Sequence, residues 1–110
     1  MASLYSNVYS NVGTIPVTVI TTGGTKNSTI LGLNICNKTY TSVTVDGYVT
    51  WGGNTFYVFK NLALDPNTTA VAIGDNQRLI IDSNQTLNIV ASANNCVDVI
   101  VSFAETIVGS

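Results

Sequence analysis

The chain has 110 residues, close to the commonest size of a single domain, and 45% of them are hydrophobic, enough to fill one core. Only 9% are charged, against roughly 25% in soluble domains generally, and four Lys plus Arg nearly balance six Asp plus Glu at net charge -2. The four scattered cations Lys26, Lys38, Lys60 and Arg78 give no footprint for nucleic acid, the lack of His removes the commonest general base and metal ligand, and no apolar run nears the roughly 18 residues of a membrane span.

Solubility must then come from neutral polar groups, of which 15 Thr and 13 Asn are the most abundant. Val, Ile and Thr together make up 39 of the 110 residues, an excess of β-branched side chains that disfavours helix and suits a pleated sheet. In chain order, Tyr5-Ser6-Asn7-Val8 and Tyr9-Ser10-Asn11-Val12 repeat a four-residue pattern too short for a solenoid unit. Residues 1–13 are expected to form an extended N-terminal arm or edge strand lying on a neighbour, with Tyr5, Val8, Tyr9 and Val12 as interface candidates. The first residues lack a basic segment followed by an apolar run, so synthesis in the cytoplasm without an export signal is expected.

Residues 14–110 read as a single β-sandwich domain. Val17 to Thr21 and Thr29 to Asn37 are strands around Gly23-Gly24-Thr25. From Val43 to Trp51, Val43, Val45, Gly47, Val49 and Trp51 share one face, while Thr44, Asp46, Tyr48 and Thr50 share the wetter one. Thr55 to Lys60, Thr68 to Ile73, Arg78 to Asp82 and Thr86 to Ser92 follow, separated by Gly52-Gly53-Asn54, Asp65-Pro66-Asn67, Gly74-Asp75-Asn76 and Ser83-Asn84. Val97 to Ile107 closes the chain, with Val97, Val99, Val101 and Phe103 on the core face and Asp98, Ile100, Ser102, Ala104 and Thr106 on the other. Eight or nine short strands without a crossover helix predict an all-β fold, an antiparallel β-sandwich of jelly-roll-like or Ig-like kind.

Few residues suggest chemistry. Cys36 and Cys96 are the only thiols, too few for a zinc site and too distant for a CxxC pair; small free thiols packed in the sheet are expected, and whether they bond is left open. Their strand parity places Cys36 beside Asn34 and Cys96 beside Asp98, opposite the apolar positions. Asp65, Asp75, Asn76 and Asp82 lack calcium-loop spacing and read as turn residues. Four Asn-x-Ser/Thr triplets, at Asn27, Asn37, Asn67 and Asn84, are what chance supplies in such a composition. No catalytic residue, cofactor or metal ligand emerges. The aromatics Tyr48, Trp51, Phe56, Tyr57 and Phe59 gather around Trp51-Gly52-Gly53-Asn54. Trp51 and Phe56 are expected in a hairpin core or subunit interface, with Tyr48, Trp51 and Tyr57 as interface or glycan-contact aromatics.

The segments 29–37 (Thr29-Ile30-Leu31-Gly32-Leu33-Asn34-Ile35-Cys36-Asn37) and 42–46 (Ser42-Val43-Thr44-Val45-Asp46) resemble the opening of small virion structural proteins of tailed bacteriophages, especially cyanophages. Leu79-Ile80-Ile81, the run from Leu87 to Asn94, and the run from Val97 to Glu105 resemble that group's closing hairpin. The likeness spans about Thr29 to Ile107, and it departs at Asp82-Ser83-Asn84-Gln85, where an acidic Gly-Asp type turn is expected; the turn chemistry is equivalent. The resemblance implies a non-enzymatic component of the virion, above all a capsid decoration or cement protein. It would be a homo-oligomer, with a trimer favoured, bound to the major capsid protein or other virion proteins. A neck, tail or baseplate component and a glycan-binding module at a tail tip are the alternatives. A secreted adhesin or pilus-like subunit shares the composition but needs export.

Overall fold

The computed structural model describes residues 3–73 and 79–107. The turn expected at Gly74-Asp75-Asn76 and the side chains of Asp75, Asn76 and Arg78 lie outside the described residues. The described residues form nine strands and no helix: β1 Ser3–Val12, β2 Val17–Thr21, β3 Lys26–Asn37, β4 Val43–Trp51, β5 Asn54–Leu64, β6 Thr69–Ile73, β7 Leu79–Ile81, β8 Thr86–Ala91 and β9 Val97–Ile107.

All pairings are antiparallel and build two sheets. One runs β1-β9-β3-β6, with β7 also on β3, and the other runs β2-β8-β4-β5. The pairs are nested: β4 with β5, β3 with β6 and β7, β2 with β8, β1 with β9. That is one long ribbon, folded at a single turn and rolled into two layers, the jelly roll. The turn is Gly52-Gly53, where φ is +59° and +80° between the paired residues Trp51 and Asn54. Two consecutive positive φ values match the right-handed twist of the strands, and glycine takes them without a Cβ clash.

The core lies between the layers. Ile30, Leu33, Ile35, Ile73, Ile81, Val97, Val99, Val101 and Phe103 from one sheet meet Val19, Ile20, Val43, Val45, Leu64, Leu87, Ile89 and Ala91 from the other. The β4 and β9 bounds match those expected from alternation, with Val43, Val45, Gly47 and Val49 buried on β4. Three local features alter the simple period. A register shift between Ile30 and Gly32 puts Ile30 and Leu33 both in the core. Another between Thr18 and Ile20 buries Val19 and Ile20 together. Opposite Gly47, the Phe59 ring fills the space a side chain would take, since a Cβ there would come within 2.4 Å of it.

Asn37 ties the end of β3 to two loops from inside. Its Nδ2 donates to the carbonyls of Thr41 at 2.9 Å, Asp65 at 3.1 Å and Leu64 at 3.2 Å, while its Oδ1 accepts from the Thr39 N–H at 3.0 Å and hydroxyl at 2.7 Å. The amide is fully buried, so the triplet at Asn37 offers no accessible glycan acceptor in the folded chain. Cys96 is also fully buried, contrary to its expected place on the face opposite the core. It precedes β9 rather than alternating with it, and its N–H donates to the Val12 carbonyl at 3.1 Å. Cys36 is half-buried, and both thiols are free.

Two substitutions test this packing. Gly47→Ala forces the Phe59 ring aside and is expected to cost about 1–3 kcal/mol in urea unfolding. Asn37→Ala leaves buried carbonyls without their donor and is expected to cost about 3 kcal/mol. Either variant unfolding at the wild-type midpoint would contradict the arrangement described.

Candidate interaction surface

The β4–β5 hairpin carries aromatics on both of its faces. Trp51 continues the core-facing series Val43, Val45, Gly47, Val49, but β4 leaves β8 at the Thr50–Thr86 pair, and Trp51 lies one residue past the end of the core. It is 53% exposed, and Phe56, across from Val49, is 52% exposed. The expectation that Trp51 and Phe56 belong to a hairpin core is therefore corrected: alternation gives the face correctly, but the opposing sheet stops short of them. On the other face Tyr48 pairs across the strands with Tyr57, ring centres 5.7 Å apart and planes tilted by 56°, and Lys60 Nζ sits 4.2 Å from the Tyr57 ring centre.

The N-terminal strand behaves differently from residue to residue. β1 pairs with β9 of its own chain, from Ser3–Glu105 to Tyr9–Val99 and again at Val12–Val97. Tyr5 stacks on Phe103 with ring centres 5.5 Å apart. The Tyr9 hydroxyl donates to the Val19 carbonyl at 3.2 Å and Asn7 Nδ2 donates to the same oxygen at 3.0 Å, closing the open edge of the bulged β2. Val12 is only 1% exposed, so it is a core residue of this chain, which corrects its reading as an interface residue. The cause is the register shift between Tyr9 and Val12, where Asn11 takes φ +57°. Of the four β1 candidates, Val8 alone points wholly outward.

Val8 belongs to a larger surface. Across the outer face of the five-stranded sheet, Val8, Ile100, Asn34 and Val71 lie in one row, paired strand to strand. Leu4, Ala104, Thr29 and Ile80 lie in a second row. Between them runs Ser6, Ser102 and Gly32. Leu4, Val71, Ile80 and Ile100 were not among the sequence candidates. Their signal was present at Ile100 and Ala104, apolar residues at positions of β9 that alternation assigns to water.

Charges are engaged locally. Lys26 pairs with Glu105 at 3.2 Å and Lys38 with Asp98 at 3.0 Å, and the Asp98 carboxylate also accepts the Asn11 N–H at 3.1 Å. Asp46 accepts the Asn61 N–H at 2.7 Å. Asp82 belongs to a turn, its carboxylate accepting the Ser83 N–H at 2.8 Å while its own N–H donates to Gln85 Oε1 at 2.8 Å. Among the described residues no three His, Cys, Asp or Glu side chains come together, and an open depression of about 270 Å³ beside Thr14 and Asn94 is lined without titratable groups.

The fold has counterparts among solved structures. A subunit of Bacillus endospore appendages, described as a family of disulfide-linked pili, superposes with TM-score 0.56 at 10% identity, covering 99% of this chain and 88% of that one. The infectious bursal virus protein of T=1 particles superposes with TM-score 0.58 at 17% identity, covering 96% of this chain and 31% of that one. The infectious bursal disease virus VP2 of a subviral particle gives TM-score 0.55 at 17% identity, with 96% and 32% covered. The chain thus spans about a third of the viral proteins it matches. No family model and no curated protein sequence matches it. The chain is a small jelly roll, and what it shares at these identities with the pilus subunit and with the viral proteins is the fold.

The surface assignment yields a contrast. Trp51→Ala is expected to change unfolding free energy by no more than about 0.5 kcal/mol, whereas Phe103→Ala, from the core, is expected to cost about 3–5 kcal/mol. Equal losses in a chemical-denaturation series would place Trp51 inside.

Proposed function

We propose that the chain is a structural protein of a bacteriophage virion, a decoration or cement protein that binds the assembled shell as a homo-oligomer, with a trimer favoured. The observation that carries this reading is a surface nearly without charge on which, among the described residues, a dozen large apolar side chains stand exposed, from Leu4 and Val8 to Trp51, Phe56 and Ile100. Where such side chains gather on one face, as in the rows through Val8 and Ile100 and through Leu4 and Ile80, they mark contact with other protein. The capsid-like fold supports the reading, as do the sequence segments that resemble phage virion proteins.

The mechanism is mechanical. A protein that binds only the closed shell stabilises it by mass action, about 2.7 kcal/mol per site when free protein stands roughly a hundredfold above its Kd. Rotational symmetry repeats the contact within one oligomer, so modest individual contacts add to a firm attachment. The β4–β5 hairpin suits shell contact, because its aromatics project past the end of the core. The major capsid protein is the proposed partner and the virion the proposed location. A neck, tail or baseplate site would use the same surfaces on a different partner.

A second reading rests on Trp51 and Phe56 standing exposed on one face of the hairpin beside Asn54: a glycan-binding platform for host recognition. The two readings separate by experiment. Cryo-electron microscopy of the source particles is expected to show density of this size at local symmetry axes or between capsomers. Particles lacking the protein are expected to release their genome at lower temperature, with stability restored by adding the purified chain. No density on any particle, together with Trp51 fluorescence that shifts on a glycan panel, would replace the cement reading with the glycan-binding one.

A further inference from the structure

We infer that the outer face of the five-stranded sheet is a homotypic interface, covered in the assembled protein by the same face of a second copy of this chain. This specifies the contact behind the oligomer proposed above and rests on that reading for its partner alone, since the surface itself is read from the fold. Leu4, Val8, Val71, Ile80 and Ile100 on this face are between 46% and 75% exposed. Five large aliphatic side chains left this bare on one sheet face are more than the singly scattered hydrophobics that a monomer's surface normally carries. The face is therefore of the kind that marks a contact with another protein.

Its chemistry selects another copy of itself. No Lys, Arg, Asp or Glu occurs in the three rows that cross it, and among the described residues the carboxylates at its margin are engaged locally, Asp98 by Lys38 and the Asn11 N–H and Asp82 by the Ser83 N–H. Within these rows a partner recognised by charge would find nothing to pair with. Two identical neutral faces meet without opposing like charges, and a two-fold contact places the same residues on both sides. The relief fits as well. The rows through Val8 and Ile100 and through Leu4 and Ala104 are ridges flanking the low row Ser6, Ser102, Gly32, which is what two sheets packing about 10 Å apart need in order to interdigitate. Such a contact is isologous, so it pairs copies two by two and doubles whatever ring the chain forms.

Sedimentation equilibrium of the full chain tests this. The wild type is expected to associate in even-numbered species at tens of micromolar. Val8→Asp combined with Ile80→Asp, on different strands and in different rows, is expected to weaken association at least a hundredfold while keeping the wild-type circular dichroism and melting. Trp51→Ala combined with Tyr57→Ala is expected to leave association unchanged. A second measurement avoids disrupting the face: with Ser102→Cys in a Cys36→Ser background, maleimide labelling of the introduced thiol is expected to slow as concentration passes the association midpoint. A wild type still monomeric at about 100 μM would overturn the inference. So would undiminished association of the double Asp variant, labelling independent of concentration, or protection of the introduced thiol that appears only on adding virus particles. A monomer that still binds particles would sink this interface and spare the shell-binding reading. Self-association through this face without any particle binding would do the reverse.

Discussion

A ribbon that reverses once, at Gly52-Gly53, and pairs outward from that turn commits every later contact to the geometry of the first. With the turn in place β4 meets β5, the next segments β3 and β6 pair on the opposite layer, and the order continues to Ser3 against Glu105. Most of the strand pairs join residues far apart in the chain, and the outermost join its two extremes. Such non-local pairing is slow to form, because loop closure must precede the contacts that reward it. The two-residue turn supplies a local starting point, and the Phe59 ring over Gly47 anchors the same hairpin to the core.

The near absence of charge has its own structural logic. Five asparagines, Asn11, Asn61, Asn67, Asn84 and Asn95, take positive φ, doing at bulges and turns what glycine would do while keeping a polar side chain at the surface. Asn37 bonds loops together from within. The composition that the sequence shows as an excess of Asn is thus in part a set of backbone positions, and among the described residues four of the few charged side chains form two local pairs, Lys26 with Glu105 and Lys38 with Asp98. That leaves broad neutral sheet surfaces, which is the property both proposed contacts exploit.

Strand existence was legible from the period of two, and for β4 and β9 so were the bounds, because both alternate without interruption over their core stretches. Where register shifts intervene the reading degrades. β5 continues past Lys60 to Leu64 through Asn61 at φ +55°, and β3 begins at Lys26, ahead of its first apolar residue, because Ser28 is buried against Thr22 through a hydroxyl contact of 3.1 Å. The choice between jelly roll and Ig-like sandwich depended on which strands pair, and pairing between distant segments leaves no local mark. The same limit applies to the surface. Parity assigned Trp51 to the core side correctly, yet where the opposing sheet ends is a property of the other half of the chain. Conversely Ile100 and Ala104 were visible as apolar residues on a wet face, but their rows were completed by Leu4, Val71 and Ile80, which only strand pairing brings beside them.

The pairing of Ser3 with Glu105 sets both outer ends of the described chain side by side on one sheet. Tension applied between those two ends would peel β1 from β9 one hydrogen bond at a time, the weakest way to pull on an antiparallel pair. Force spread over the sheet faces meets the whole layered core at once. A jelly roll joined to its surroundings through its faces can therefore resist strain that the same fold, tethered by its ends, would yield to by unzipping.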